Sequence, residues 1–369
     1  MISIYYSAGI FLVSFLTNLL LLPSIIKLAH KHKWYDMPNK RKIHTGLIPR
    51  LGGIGIFTAT ALSLIAAFAV SLIFKSKGIK LFLSFRIFYL FSGLLMIYCI
   101  GLIDDFHNLK APIKFTLQLA AASIITAGGY TIKSLTIPYL GTFFLGFTAF
   151  PITVLWIVGI ANAVNLVDGM DGLAGGITGF ASLALGIIML IHGFFLPALL
   201  SFAVLGAITG FLLFNFPPAK IFMGDAGSLF LGFILASIPL MALDSLKYPE
   251  GLLIATVTLL MIPILDTAAA IFRRIKGRKP IYSPDKKHIH HRLLGLGLSE
   301  KKILAVVYGF SIYLSLIAIT SMILPKETNI YFILVIWIGS LLAYLFLNFI
   351  ELKKIHQKDQ TESIHKNIL

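Results

Sequence analysis

Apolar residues fall in long runs along this chain, and polar residues are confined to the short segments between them. The runs cover approximately 2–27, 51–74, 87–103, 113–128, 143–160, 173–191, 195–215, 227–244, 251–272, 302–324 and 330–350. Each is close to the ~20 residues that a helix needs to cross a bilayer. The pattern predicts an all-α, polytopic membrane protein with about eleven transmembrane helices. The run 113–128 is short, and 173–191 and 195–215 are separated only by His192-Gly193-Phe194. The first run has no basic residues before it and basic residues after it, which marks a membrane helix rather than a cleaved signal. Residues 1–350 form one transmembrane domain in this reading, and 351–369 a polar tail. Tyr130–Thr142, with Pro138 and Gly141, is longer than a turn and suits a short hairpin or interfacial element.

Composition agrees: 58% of the 369 residues are hydrophobic and 12% charged, about half the charged share of a soluble domain. Cys99, inside an apolar run, excludes disulfides and a Cys-based metal site and reads as a small core residue. Charge then orients the chain. With the first loop inside, the inner segments (27–50, Lys110, Lys114, Lys220, 273–302 and the tail) hold roughly 24 of the 31 Lys and Arg. The positive-inside rule therefore places the N-terminus outside and the C-terminus in the cytoplasm, although Lys75, Lys77, Lys80 and Arg86 run against it. That rule accounts for most of the +16 net charge, so the charge does not call for a nucleic-acid partner.

The same topology brings Asp104, Asp105, Asp168, Asp171 and Asp225 to one face, five of the fifteen acidic residues. Helix caps would scatter over both faces; a site would cluster. In A-N-A-V-N-L-V-D-G-M-D-G-L-A-G-G, residues 161–176, Asn162, Asn165, Asp168 and Asp171 offer oxygens to a donor or a hard cation, and two Asp-Gly pairs exceed what a turn needs. Asp104-Asp105 end a helix where the macrodipole disfavours carboxylates. They form either an ion-pair cluster with Lys110 and Lys114 or a cation site. Asp225, before Ala226-Gly227-Ser228, is an N-cap or part of a phosphate-binding helix start. Phe222 is a core residue or a ring for stacking a base. Asp266 shares a helix face with Arg273 and suits a structural ion pair through a neighbouring element; Pro263 is expected to kink that helix. His288, His290 and His291 with Asp285 allow a zinc site, but Lys286, Lys287 and Arg292 favour a phosphate or sugar-phosphate. Lys40, Arg41, Lys42 and His44 are topology determinants or a patch for anionic headgroups.

In order, the chain carries D-x-P-x-x-R-K-x-H-x-x-x-I-P-R-x-G-G, D-D-x-x-x-L-x-x-x-x-K, N-x-x-N-L-x-D-G-x-D-G-L-A, F-M-G-D-x-G-S, P-x-x-D-T-x-x-x-x-x-R-R and H-x-H-H-x-L, from Asp36 to Leu293. This series resembles the polyprenyl-phosphate N-acetylhexosamine-1-phosphate transferases. I-P-R-L-G-G and H-I-H-H-R-L resemble the branch that uses UDP-GlcNAc to begin O-antigen, enterobacterial common antigen or wall teichoic acid. Ile289 interrupts the three-histidine run of the muramoyl-pentapeptide branch. The resemblance implies a multi-pass enzyme of the bacterial inner membrane with a cytoplasmic site, about ten or eleven helices and commonly a homodimer. It would move GlcNAc-1-phosphate from UDP-GlcNAc to undecaprenyl phosphate with Mg²⁺ (or Mn²⁺), releasing UMP.

By the same resemblance Asp104 is a base toward the lipid phosphate, and Asp105 helps to hold metal or phosphate. Asp225 is the principal metal ligand, joined by Asp105 and Asp168, and Lys114 contacts phosphate. Asn162, Asn165, Asp168 and Asp171 line the nucleotide side, with Asp171 toward uracil and Phe222 stacked on it. Arg273, His288, His290 and His291 contact diphosphate and sugar. The rival within the enzyme class is another UDP-hexosamine or UDP-MurNAc-pentapeptide donor. The rival outside it is a lipid-linked sugar transporter, which would place charges near helix midpoints; among the acids singled out here, only Asp266 lies within a span.

Overall fold

The computed structural model describes residues 2–35, 48–73, 84–137, 141–243, 249–280, 283, 285, 288–324 and 333–342. Lys40, Arg41, Lys42, His44, Lys75, Lys77, Lys80, Lys286, Lys287 and the tail lie outside them. Helices α1 (Ile2–His32), α2 (Gly52–Ile73), α3 (Phe85–His107) and α4 (Ala111–Ala127) precede an antiparallel hairpin, β1 (Ser134–Ile137) and β2 (Gly141–Phe144). Next come α5 (Ala149–Val167), α6 (Leu173–Ile191), α7 (Phe195–Asn215) and α8 (Gly224–Leu240). They are followed by α9 (Pro249–Leu259), α10 (Met261–Lys276), α11 (Ile289–Gly295), α12 (Glu300–Ile323) and α13 (Ile333–Leu342).

Among the described residues every apolar run contributes one of these helices or a pair of them. Among the described residues seven are long and apolar enough to cross a membrane, or eight if the bent pair α9–α10 counts as one span. The runs at α4, α8 and α13 give shorter apolar helices. The 17-residue α4 and α8 rise about 25 Å, somewhat under the ~30 Å hydrocarbon core. The chain is an all-helical polytopic membrane protein, and the segment after Tyr130 is the expected hairpin, in register Leu135↔Phe143.

Two sequence expectations are corrected. The ninth apolar run is not one helix kinked at Pro263. It breaks at Leu260, where α9 and α10 meet at 76°, and Pro263 sits in the first turn of α10, where its missing N–H leaves no helical bond unmade. Cys99 is exposed on α3, not part of the core. Hydropathy alone could not separate these positions, because a lipid-facing surface is as apolar as a helix–helix interface.

Packing in lipid has no hydrophobic drive between helices and relies on close backbone approach and interhelical hydrogen bonds. On α7, Ala203, Gly206, Ala207 and Gly210 share one face against α1. A Cβ at Gly206 would lie 2.3 Å from the Phe11 carbonyl oxygen, and one at Gly210 2.9 Å from that of Phe15. At this distance Ser14 donates to the Ala203 carbonyl (2.6 Å) and Asn18 to that of Ala207 (2.6 Å). On α1, Leu12, Leu16 and Leu20 are exposed at four-residue spacing, a lipid-facing stripe. Helix α8 is apolar on all sides and buried throughout apart from Asp225, the hub packed by α2, α3 and α5. Gly53, Gly101 and Gly232 make that approach possible: a Cβ on each would fall within 2.6 Å of Gly227, Ala226 and Ala161 respectively.

Candidate active site

The hub helix begins where α3 ends. In an α-helix the first N–H groups have no partner within the helix. At α8 that need is met across the fold by Asp105. Its Oδ1 accepts from the Asp225 N–H (2.7 Å) and its Oδ2 from the Ala226 N–H (2.9 Å). The turn before α8 requires glycine at 224, with φ +71°; a Cβ there would lie 2.6 Å from both the Arg50 carbonyl oxygen and Asp105 Oδ2. Asp225 is therefore not the N-cap of α8, since Asp105 performs that task and leaves the Asp225 carboxylate to other partners. Both oxygens of Asp105 thus serve the start of α8, and the Arg50 guanidinium stands 3.6 Å from Oδ1.

Asp225 sits in the first turn, where the macrodipole favours an anion. Its Oδ1 accepts from the Asn165 amide of α5, which also donates to Ser228 Oγ (2.8 Å). Its Oδ2 meets Lys114 Nζ at 3.1 Å and the Arg50 guanidinium at 3.7 Å. Lys114, from the start of α4, also pairs with Asp104 Oδ2 at 2.8 Å. The other Asp104 oxygen accepts from the Leu109 N–H (2.6 Å), which turns the chain from α3 into α4. One lysine thus lies between two carboxylates, in a pocket walled by the ends of α3, α4, α5 and α8. Arg50 reaches it because residues 49–53 pair with 222–223: the Phe222 N–H donates to Pro49, and Gly52 and Gly53 donate to Phe222 and Met223.

Asp168 ends α5 in the same pocket. It is half-buried and accepts no hydrogen bond from the described residues. Burial pushes its carboxyl up to about 7; the Arg50 guanidinium pulls it down, and Asp225, Asp105 and Asp171 push it up again. Asp171 Oδ2 accepts from the Ala219 N–H (2.8 Å), tying its loop to the segment before Phe222. The intervening Gly172, at φ +73°, is held by Asn215 through its N–H (2.9 Å) and by the Tyr308 hydroxyl through its carbonyl (2.7 Å).

The histidine segment approaches from the other side. His290 crosses Gly169, where a Cβ would lie 2.7 Å from its ring. It lies parallel to His288 and 4.3 Å, centroid to centroid, from His291. Burial, together with the neighbouring histidines, holds His290 down at about 3. An unfolded histidine titrates near ~6.5, so below that pH the unfolded chain takes up a proton that the folded chain refuses. Stability should accordingly fall by about 2 kcal/mol between pH 7 and pH 5 from this group. Thermal midpoints across that range should show the loss in the wild type and a flatter slope in His290→Gln.

Most residues singled out in the sequence do converge here: Asp104, Asp105, Lys114, Asn165, Asp168, Asp171, Phe222, Asp225 and, across Gly169, the histidines. Asn162 does not join them by any contact. Its amide donates across to Gln118 Oε1 of α4 (2.6 Å) and back along α5 to the Val158 carbonyl (2.8 Å). Asp266 and Arg273 do not pair with each other: Arg273 binds Asp285 (2.6 and 3.0 Å), and Asp266 binds His288. Among the described residues no three His, Cys, Asp or Glu side chains are grouped so as to hold a metal ion. Arg50 was passed over in the sequence, although the glycine pair following it was a signal of close backbone approach. Tyr308 and Asn215, inside or at the end of apolar helices, gave none.

Similarity to known proteins identifies the family. The glycosyl transferase family 4 model matches residues 87–243, from α3 to just beyond α8. A probable undecaprenyl-phosphate N-acetylglucosaminyl 1-phosphate transferase of Bacillus subtilis is 38% identical over 330 residues, covering 89% of this chain and 88% of that protein. A decaprenyl-phosphate N-acetylglucosaminephosphotransferase of Mycolicibacterium smegmatis is 34% identical over 293 residues (73% and 71%). An undecaprenyl-phosphate alpha-N-acetylglucosaminyl 1-phosphate transferase of Escherichia coli K12 is 29% identical over 292 residues (76% and 74%). The chain belongs to glycosyl transferase family 4, as an integral-membrane phosphotransferase of the polyprenyl-phosphate N-acetylhexosamine-1-phosphate transferase family.

Proposed function

We propose that the protein transfers GlcNAc-1-phosphate from UDP-GlcNAc to undecaprenyl phosphate, releasing UMP, at a site that faces the bacterial cytoplasm. The observation that carries this reading is Lys114 held between Asp104 and Asp225 at the N-terminus of α8, near Asp168, which accepts no hydrogen bond from the described residues. The relatives' names carry the N-acetylglucosamine phosphate group and a polyprenyl-phosphate acceptor, the UDP carrier comes from the motif resemblance, and H-I-H-H-R-L favours GlcNAc over MurNAc-pentapeptide. Eleven membrane crossings, with the N-terminus outside, put these loops on the basic, cytoplasmic side. A homodimer is proposed from the resemblance alone.

In the reaction, an oxygen of the lipid phosphate attacks the sugar-bearing phosphorus of UDP-GlcNAc. That P–O bond forms as the bond from the same phosphorus to the bridging oxygen breaks, and UMP leaves with the electron pair. A phosphate monoester is largely dianionic at neutral pH, its second pKa being near ~6, so the nucleophile needs little help from a base. Asp104, bound to Lys114 and Leu109, therefore serves chiefly to hold the lysine. Lys114 and Arg50 neutralise phosphate charge, and Asn165 orients Asp225. Asp171 and Phe222 take the nucleotide; His288, His290, His291 and Arg273 take diphosphate and sugar.

The oxygen-rich donor set suits Mg²⁺, which needs only one or two carboxylates beside substrate phosphates and waters. Asp225 and Asp168 would hold it, and Asp105 acts as a positioning residue because both its oxygens serve α8. Bound there, the ion would supply charge neutralisation for the departing UMP. Purified protein with undecaprenyl phosphate and Mg²⁺ should release UMP from UDP-GlcNAc, and EDTA should stop it. Release from UDP-MurNAc-pentapeptide alone would overturn the donor assignment.

A further inference from the structure

The strongest feature outside this cluster is Asp266, an acid within the apolar first half of α10. It is 2% exposed, and both of its oxygens are used by one short segment. Oδ2 accepts from His288 Nδ1 (2.7 Å), and Oδ1 accepts from the Ile289 N–H (2.9 Å), the first of α11. A carboxylate buried so deeply is costly unless it is fully hydrogen-bonded, which here it is. The same two bonds fix where α11 starts and which nitrogen of His288 carries the proton.

A neutral imidazole with its proton on Nδ1 presents a bare lone pair at Nε2. His288 Nε2 has no hydrogen-bond partner among the described residues. The ring is 7% exposed and lies parallel to His290 at 6.1 Å, and His290 in turn crosses Gly169 between Asp168 and Asp171. A carboxylate behind a functional histidine is a recurrent way to fix tautomer and orientation.

We propose that Asp266 is a positioning residue for the transfer: it locks His288 in the Nδ1–H tautomer, so that Nε2 accepts a hydrogen bond from a hydroxyl or acetamido N–H of the donor sugar. This rests on the sugar-nucleotide reading above and adds to it the residue that sets the hydrogen-bonding role of His288.

The test is Asp266→Asn. The asparagine oxygen can keep the Ile289 N–H, but its NH₂ faces Nδ1 and turns that nitrogen into an acceptor, moving the proton to Nε2. In ¹⁵N-histidine-labelled protein, with His288 assigned from His288→Ala, the wild type should give the Nδ1–H pattern and Asp266→Asn the Nε2–H pattern. The thermal midpoint should change little, while kcat/KM for UDP-GlcNAc falls about 10–100-fold. Asp266→Asn in the His288→Ala background should then cost nothing further, because the two act as one unit. A doubly protonated His288 in the wild type, an unchanged tautomer in the variant, or losses that multiply in the double variant would each overturn the proposal. The NMR result stands without turnover, so a wild type that releases no UMP would count against the reaction assigned above and leave the Asp266–His288 result to be read on its own.

Discussion

Asp225→Asn is expected to lower UMP release by about 10³-fold while leaving the protein folded. The magnitude follows from removing a preorganised charge from the point where phosphate charge moves, an effect of roughly 10²–10³ for one such group, with loss of a metal ligand added. The fold should survive because Asp225 does not cap α8: Asp105 takes the first N–H groups of that helix through both of its oxygens. Asparagine also keeps an oxygen for the Asn165 amide, and Lys114 keeps Asp104 as counter-ion at 2.8 Å. A variant that turns over normally but melts at lower temperature would show that the side chain is structural. Circular dichroism melts in detergent, run beside the UMP assay, separate the two outcomes.

Lys114→Met should be the more damaging change, because it removes the only cation within 3.5 Å of the Asp104 and Asp225 carboxylates among the described residues. Breaking a buried pair costs about 3–5 kcal/mol, mainly because the remaining charge is left uncompensated. Here two carboxylates are left, with Arg50 at 3.7 Å from Asp225 as the nearest substitute. Both the thermal midpoint and turnover should therefore fall, in contrast to Asp225→Asn, which should affect turnover alone. Combining Lys114→Met with Asp104→Asn should recover part of the stability, since one stranded charge is removed, and none of the activity. Normal turnover in Lys114→Met would place the transferred phosphate elsewhere.

The fold was legible in the sequence to the extent that hydropathy carries it. Among the described residues each apolar run gave a helix or, at 251–272, a bent pair, and the helix ends carrying Asp104, Asn165, Asp168 and Asp225 meet. What could not be read was which residue does what within the cluster. Asp105 and Asp225 look alike locally, since each is an acid at a helix end. Their roles separate only through a contact spanning 120 residues, in which one carboxylate caps the helix bearing the other. Asp266 showed the same limit. Its same-face spacing from Arg273 suggested a link, yet its partners lie 22 and 23 residues away, in a segment whose path no local propensity fixes. Cys99 was misread for a different reason: in a membrane helix both lipid-facing and protein-facing positions are apolar, so periodicity carries little information about which side is buried.

The proposed joining of a sugar phosphate to a lipid phosphate leaves two products. It is tested most directly by following both products at once, UMP by chromatography and the lipid by mass spectrometry, with UDP-GlcNAc, undecaprenyl phosphate and Mg²⁺. UMP and undecaprenyl-diphospho-GlcNAc should form in equal amounts, neither appearing when either substrate or Mg²⁺ is withheld, and both falling together in Asp225→Asn. UMP released without a lipid product, or UDP released with a lipid monophosphosugar, would contradict the proposed reaction.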